Sequence, residues 1–153
     1  FMFLNMSQND ISIGIKIKSN STASGTAASA MACTSTAQTI LEQTTTPGEL
    51  YRINDATLNQ YTATETSFQS DALYEGARNG TAKSFIKNGT QLATATVSST
   101  GFTSDAFGIG CRHSSGTVTN LINAAFEYAF VRQFSTVTSA TVYADCEALR
   151  DGW

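Results

Sequence analysis

Hydrophobic and polar residues alternate with a period of two along much of this chain. The pattern is clearest from Ile11 to Lys18, where isoleucine occupies every second position and Ser, Gly and Lys fill the positions between. Successive side chains of a β-strand point to opposite faces, so all four isoleucines face the same way. The segment is therefore predicted to be a strand with one buried face.

Shorter runs of the same kind predict seven further strands, at 28–33, 49–54, 72–77, 83–87, 91–97, 107–111 and 124–134. Asn79-Gly80 and Asn88-Gly89 both tolerate positive φ and lie between such runs, which predicts two tight hairpins. The run from Phe126 to Phe134 has an aromatic residue or Arg at every second position. We interpret it as a strand with one aromatic face, covered on both sides.

One segment near the end of the chain has helical spacing instead. Val142, Cys146 and Leu149 predict a helix from Ala140 to Leu149, with Thr138 or Ser139 as its N-cap. Many short strands and a single terminal helix favour an all-β fold, a two-sheet antiparallel jelly-roll sandwich with one short C-terminal helix.

The 153 residues fit a single domain, 1–153. Because the first residue is Phe, we expect a processed chain or a piece of a longer one.

The composition narrows the classes of partner. Only 14% of residues are charged, whereas Ser and Thr supply 40 of the 153, so hydroxyl groups provide most of the polarity. The nine Lys and Arg residues are scattered, and a phosphate backbone needs a basic stripe, so we expect no nucleic-acid partner. The apolar stretches are too short to cross a bilayer. The three cysteines are too few and too widely spaced for a disulfide framework or a zinc site, and we expect buried free thiols.

Three segments carry a resemblance to a known family: SFIKNGTQL at 84–92, FGIGCRH at 107–113, and FEYAFVRQFSTVTSATVYADCEAL at 126–149. In this order they resemble the concanavalin A-like jelly roll in its laminin-G-like branch, and specifically the lectin-like domains of tailed-phage virion-surface proteins. The opening DISIGIKIKSNSTASG and the segment ALYEGARNGTA resemble the first strand and middle hairpin of such domains.

The resemblance implies a non-catalytic structural or surface module of a virion, such as a capsid decoration, head-fibre or tail-fibre domain. The implied location is the virion surface or another extracellular setting. The implied partners are other virion proteins or further copies of the chain, as a trimer, with host-surface glycans as a further ligand. A secreted or cell-surface laminin-G-type lectin is the alternative, and a degenerate glycan hydrolase is a third hypothesis.

Catalytic groups are hard to find. Glycan hydrolases on this fold use closely spaced carboxylates, such as Glu-x-Asp-x-x-Glu, and none of the twelve acidic residues forms that motif. Asp71 and Glu75 are one closely spaced pair, and we interpret them as solvated surface acids. His113 is the single histidine, which argues against a Ser-His-Asp triad or a catalytic zinc. We predict that the chain is not an enzyme.

A sugar site needs an aromatic face and hydrogen-bonding side chains. The candidates are Tyr74, Arg78, Asn79, Arg112 and His113. The competing interpretation is that Tyr74 packs in the core and the two arginines are ordinary surface residues. We expect no cofactor, with a calcium ion bound by loop carboxylates such as Asp55 or Asp105 as the alternative.

Overall fold

The computed structural model describes residues 6–8, 10–34, 38–45, 49–54, 58–62, 67–79, 82–96, 102–104, 106–114 and 117–133. All regular structure in these residues is β. The strands are β1 (Met6–Gln8), β2 (Asp10–Asn20), β3 (Ala28–Thr34), β4 (Gln38–Gln43), β5 (Glu49–Asn54), β6 (Leu58–Thr62), β7 (Ala72–Asn79), β8 (Ala82–Lys87), β9 (Thr90–Thr96), β10 (Phe102–Ser104), β11 (Ala106–Ile109), β12 (Arg112–Ser114), β13 (Thr117–Thr119) and β14 (Ala124–Gln133).

Two antiparallel five-stranded sheets dominate the fold. The first sheet has the order β14-β2-β7-β8-β9 and the second the order β11-β3-β4-β5-β6. Two smaller pairs, β1-β10 and β12-β13, complete the described strands. This arrangement confirms the predicted antiparallel sandwich. The helix predicted at Ala140 to Leu149 lies outside the described residues.

The core lies between the two sheets. Ile13, Ile15 and Ile17 of β2 are fully buried, as their alternation predicts. Burying an isoleucine side chain contributes about 1.5–3 kcal/mol, so this strand is a major source of stability. The same cluster includes residues of both sheets and of the loop before β7: Met31, Leu41, Phe68, Tyr74 and Phe85.

The opposite, outer face of the first sheet is buried too. Ser12 of β2, Glu75 of β7 and Ile86 of β8 have no exposed surface, and the register places Gly14 and Ile86 opposite Glu75 on either side. The prediction that Glu75 is a solvated acid is therefore wrong. Asp71, in the turn before β7, is exposed as predicted.

A bulge in β14 changes how its aromatic residues are distributed. Phe126 pairs with Ile17 and Tyr128 with the adjacent Lys16, so two steps of β14 match one step of β2. The side-chain alternation reverses at this point. Phe126 and Val131 pack against the core, whereas Phe130 lies over Gly14 on the outer face. The prediction of one continuous aromatic face is wrong, because strict alternation does not survive an extra residue.

The hairpin predictions agree with the strand pairing. Lys87 pairs with Thr90, leaving Asn88 (φ +48°) and Gly89 (φ +76°) as a two-residue turn with two positive φ angles, typical of type I′. The Asn88 side-chain oxygen also accepts a hydrogen bond of 2.8 Å from the Leu73 N–H. In the other hairpin Asn79 pairs with Ala82, so Asn79 belongs to the strand rather than to the turn.

Within the described part of the chain, no helix has the length and hydrophobicity of a membrane span.

Candidate functional site

Tyr74 lies in the core and has no exposed surface. Its ring stacks on Phe85 with centroids 5.9 Å apart and meets the edge of Phe68 at 4.9 Å. Its hydroxyl accepts a hydrogen bond of 2.9 Å from the Gln69 N–H. No face of the ring is open for stacking on a sugar. Tyr74 is therefore a core residue, which is the competing interpretation given in the sequence analysis.

The other four predicted residues lie at opposite ends of the sandwich. Arg78 is fully buried near the end of β7, and Asn79 pairs with Asp10 where β2 begins. Arg112 and His113 form β12 instead, which packs near the beginning of β3. The eight residues of β7 alone span about 23 Å at 3.3 Å per residue. The five residues therefore do not form one site, and Arg78 is not the surface residue that the sequence suggested.

The end that carries Arg112 and His113 gathers several segments that are distant in sequence. We call it the loop end, and it comprises residues 20–27, 67–71, 88–89, 110–113 and 117–123. Hydrogen bonds tie its parts together: Ser21 N donates to Asn123 O at 2.8 Å, and Asn88 N donates to Leu73 O at 2.9 Å. A surface built from several converging loops on a rigid sandwich is a common position for binding residues.

A sharp reversal at Gly110 creates part of this end. Gly110 has φ +74°, a conformation that glycine adopts without strain. After it, β12 and β13 form a short antiparallel ribbon, in which Arg112 pairs with Thr119 and His113 with Val118. The turn that leads into the ribbon is tight, since a Cβ at Gly108 would lie 2.7 Å from the Cys111 carbonyl oxygen. Because Gly108 has no Cβ, the chain can reverse direction directly after β11, at the edge of the second sheet.

A buried carboxylate holds the ribbon to the second sheet. Glu42 of β4 is 2% exposed and accepts hydrogen bonds from Ser29 Oγ at 2.9 Å and Asn120 Nδ2 at 3.1 Å. The Asn120 carbonyl oxygen accepts a further bond from the Ser29 N–H at 2.7 Å. Asn120 has φ +50°, a left-handed conformation that Asn tolerates better than most residues. The sequence offers no signal for this contact, because Glu42 and Asn120 are 78 positions apart.

Side-chain amides also fix the loop between β2 and β3. Asn20 Nδ2 donates to the Phe68 carbonyl at 2.8 Å, and Asn20 Oδ1 accepts from the Thr22 N–H at 2.9 Å. Fully buried Gln43 donates from Nε2 to the carbonyls of Ala23 and Thr26, at 2.9 and 3.1 Å. This Ser/Thr-rich segment, which resembles a linker by composition, is therefore an ordered loop.

Exposed charged groups of both signs lie beside the loop end. Lys18 Nζ lies 3.4 Å from Asp71 Oδ1 and 3.5 Å from Glu127 Oε1. The negative charge of Asp71, followed by that of Glu127, raises the pKa of Lys18 above its usual value. Such exposed pairs add little stability. They place fixed charges of both signs beside the loops.

Apolar side chains are also exposed near this end. The large hydrophobic residues with substantial exposure in the described chain are Ile109, Val118, Leu121 and, on β9 of the first sheet, Leu92. Leu121 stands out at 70% exposed. None of these four residues is aromatic, whereas Phe126, Tyr128 and Phe130 of β14 are partly exposed.

Metal and thiol chemistry have little support at this surface. In the described part of the chain, no group of three or more His, Cys, Asp or Glu side chains is placed to hold a metal ion. Asp55 and Asp105, the residues of the calcium alternative, lie outside that part. Cys111 is a buried free thiol whose pKa is raised by burial, which makes it less reactive as a nucleophile.

Comparison with known proteins defines the fold class. No protein-family model and no curated protein sequence matches this chain. Among solved structures, the carbohydrate-binding module CBM40 of Ruminococcus gnavus IT-sialidase bound to α2,3-sialyllactose is similar with TM-score 0.67 and 14% identity, covering 92% of this chain and 83% of that one. The same module bound to α2,6-sialyllactose gives TM-score 0.61 at 14% identity, with the same coverage.

A native heptameric SAP-like pentraxin from Limulus polyphemus is similar with TM-score 0.62 and 11% identity, covering 94% of this chain and 72% of that one. These proteins have jelly-roll β-sandwich folds, and the similarity shows that this chain has a fold of the same class. At such identities the similarity establishes the fold, and it transfers no ligand or residue role.

Proposed function

We propose that this domain is a non-catalytic glycan-binding module whose ligand contacts the loop end. The observation that carries the proposal is the preorganisation of this surface. Hydrogen bonds from Asn20, Gln43 and Asn120 fix loops that present hydroxyl, amide and charged side chains to solvent. A preorganised polar surface loses less entropy on binding a polyhydroxylated ligand than mobile loops do. The sialyllactose-bound modules of the same fold support this class of ligand.

Two of the five sequence-predicted residues remain candidates for contact with the ligand. Arg112 and His113 lie on the ribbon at the loop end, and Arg112 is half-buried. A guanidinium group donates several hydrogen bonds in a fixed plane, which suits sugar hydroxyls and carboxylates. We leave out Tyr74 and Arg78 because they are buried, and Asn79 because of its position at the opposite end.

We base the biological setting on the sequence resemblance, because the three solved structures named above are not named as virion proteins. We infer a virion-surface or other extracellular module that contacts a host glycan, alone or as a trimer. A secreted lectin domain is the alternative. Mass measurement of the native assembly separates them, since a trimer found on virions supports the first and a monomer secreted by a cell supports the second.

A glycan array with the purified chain tests the proposed activity. We expect selective binding to a small group of related glycans, confirmed by calorimetric titration. Arg112→Ala should weaken binding at least tenfold, because a charged hydrogen-bonding group is worth about 1.5–3 kcal/mol. Asn79→Ala is the matched control and should leave the Kd unchanged. Wild-type chain that is folded by circular dichroism and binds no glycan would contradict the proposal.

A further inference from the structure

The ribbon formed by β12 and β13 is attached to β3 by a backbone hydrogen bond at each of its ends. At the first anchor, Gly110 N donates to Ala30 O at 2.9 Å. At the second anchor, Asn120 O accepts from Ser29 N at 2.7 Å. Gly110 and Asn120 both have positive φ, so the chain changes direction sharply at each anchor. Two adjacent residues of β3 therefore hold the two ends of the ribbon.

Glu42 strengthens the second anchor with its side chain. A single atom, Oε2, accepts from Ser29 Oγ at 2.9 Å and from Asn120 Nδ2 at 3.1 Å. Glu42 is 2% exposed, and hydrogen bonds to a charged group are strong where water is excluded. Glu42 also pairs with Ser29 in the β3–β4 ladder, so its backbone position is fixed by the second sheet. It therefore holds Asn120 from a place that does not depend on the ribbon.

The position of Arg112 is linked to this anchor through the ribbon. Arg112 pairs with Thr119, which directly precedes Asn120. Thr119 Oγ1 also donates to Arg112 O at 3.4 Å. A displacement of Asn120 would move Thr119, and the backbone of Arg112 would move with it. The guanidinium group that we assign to the ligand site is thus placed by contacts that begin at Glu42.

We propose that Glu42 is a positioning residue for the glycan site: it fixes the ribbon through Asn120 and so determines the affinity that Arg112 provides. This inference rests on the proposed glycan binding and names a buried residue that controls it. When the anchor is weakened, the fraction of molecules with the ribbon in place falls, and the apparent Kd rises as that fraction decreases.

The first measurement uses the chain without any saccharide. The Ser29 amide donates to Asn120 O and is fully buried, so its hydrogen exchange, followed by NMR, reports how often the anchor opens. Asn120→Gly removes the side-chain donor and tolerates the positive φ, and it should make this exchange about tenfold faster. Glu42→Ala removes the acceptor of two bonds and should make it about a hundredfold faster. Glu42→Gln keeps an acceptor oxygen, and exchange in this variant should be roughly tenfold slower than in Glu42→Ala.

The second measurement is calorimetric titration of the same variants with the saccharide that the wild-type chain binds most tightly on the glycan array. Glu42→Ala should raise the Kd about tenfold and Asn120→Gly about threefold, whereas Glu42→Gln should stay within about twofold of the wild type. Arg112→Ala should cost less than about twofold in the Glu42→Ala background, because the ribbon no longer places the guanidinium group. Gly14→Ala, which strains the first sheet instead, is the control and should leave the Kd unchanged.

The possible failures are distinguishable. Absence of binding to every saccharide on the array by folded wild-type chain would overturn the proposed function together with this inference. An unchanged Kd in Glu42→Ala and Asn120→Gly, with faster Ser29 exchange, would overturn the inference alone. So would unchanged Ser29 exchange in both variants, since Glu42 would then not hold the anchor. Should Glu42→Ala fail to fold, Asn120→Gly decides between these results, because glycine adds no strain at a positive φ.

Discussion

Replacing Tyr74 with Ala will lower the free energy of unfolding by about 3–5 kcal/mol, the range for truncating a buried aromatic residue. The fully buried ring packs against both Phe68 and Phe85, and its removal would leave a cavity between them. This loss is a large part of the 5–15 kcal/mol that stabilises a typical domain. Urea denaturation followed by intrinsic fluorescence measures it directly.

Tyr74→Phe separates the ring from its hydroxyl. The change keeps the ring and removes the hydroxyl that accepts from the Gln69 N–H, and Gln69 is exposed, so water can take the place of that acceptor. The expected cost is about 1 kcal/mol. Glycan affinity should be unchanged in this variant. A Tyr74→Phe protein of normal stability that loses its glycan binding would return Tyr74 to the ligand site and contradict the account of it as a core residue.

Gly14→Ala will destabilise the first sheet by about 1–3 kcal/mol, the usual cost of forcing an extra carbon into a packed site. The added Cβ would lie 2.2 Å from Phe130 Cζ and 2.3 Å from Cε1, far inside van der Waals contact. Phe130 belongs to the neighbouring strand and pairs with Gly14. The glycine is thus required by the aromatic ring above it rather than by its backbone conformation.

A double-mutant cycle provides the control. Phe130→Ala alone removes packing, but it also vacates the space over residue 14. In that background Gly14→Ala should cost nothing or stabilise the protein by about 0.5–1 kcal/mol, because Ala is favoured over Gly within a strand. Denaturant midpoints of the four proteins give the coupling energy. The same cost for Gly14→Ala with and without Phe130 would show that the ring does not determine the need for glycine.

Local patterns were sufficient to predict much of the sandwich. The alternation of isoleucines in β2 and the Asn88-Gly89 turn depend on neighbouring residues, and both are as the sequence predicts. β4 was missed because Gln38–Gln43 has two adjacent apolar residues and no alternation, although it lies inside the second sheet. The reversal in β14 was missed because a single extra residue has no signature in composition.

The candidate site was less predictable, since it depends on long-range contacts. Tyr74 and Arg78 have residue types that suit sugar binding, but their register with Ile15 and Ile11 places them on the inner face of the first sheet. We place the ligand at the loop end instead. That surface depends on the hydrogen bond between Glu42 and Asn120, which requires the ribbon to lie against β3. Neither residue belongs to a recognisable motif. Of the five predicted residues, Arg112 and His113 are the two that lie near this end.

The most direct test of the central claim is an NMR titration of the ¹⁵N-labelled chain with the tightest ligand from the glycan array. Binding at the loop end predicts that the amide shifts change in residues 20–27 and 109–123, while those of Asn79 and Ala82 at the opposite end stay fixed. Shift changes centred on the β7–β8 connection, with the ribbon unaffected, would contradict the account and move the site to the other end of the sandwich.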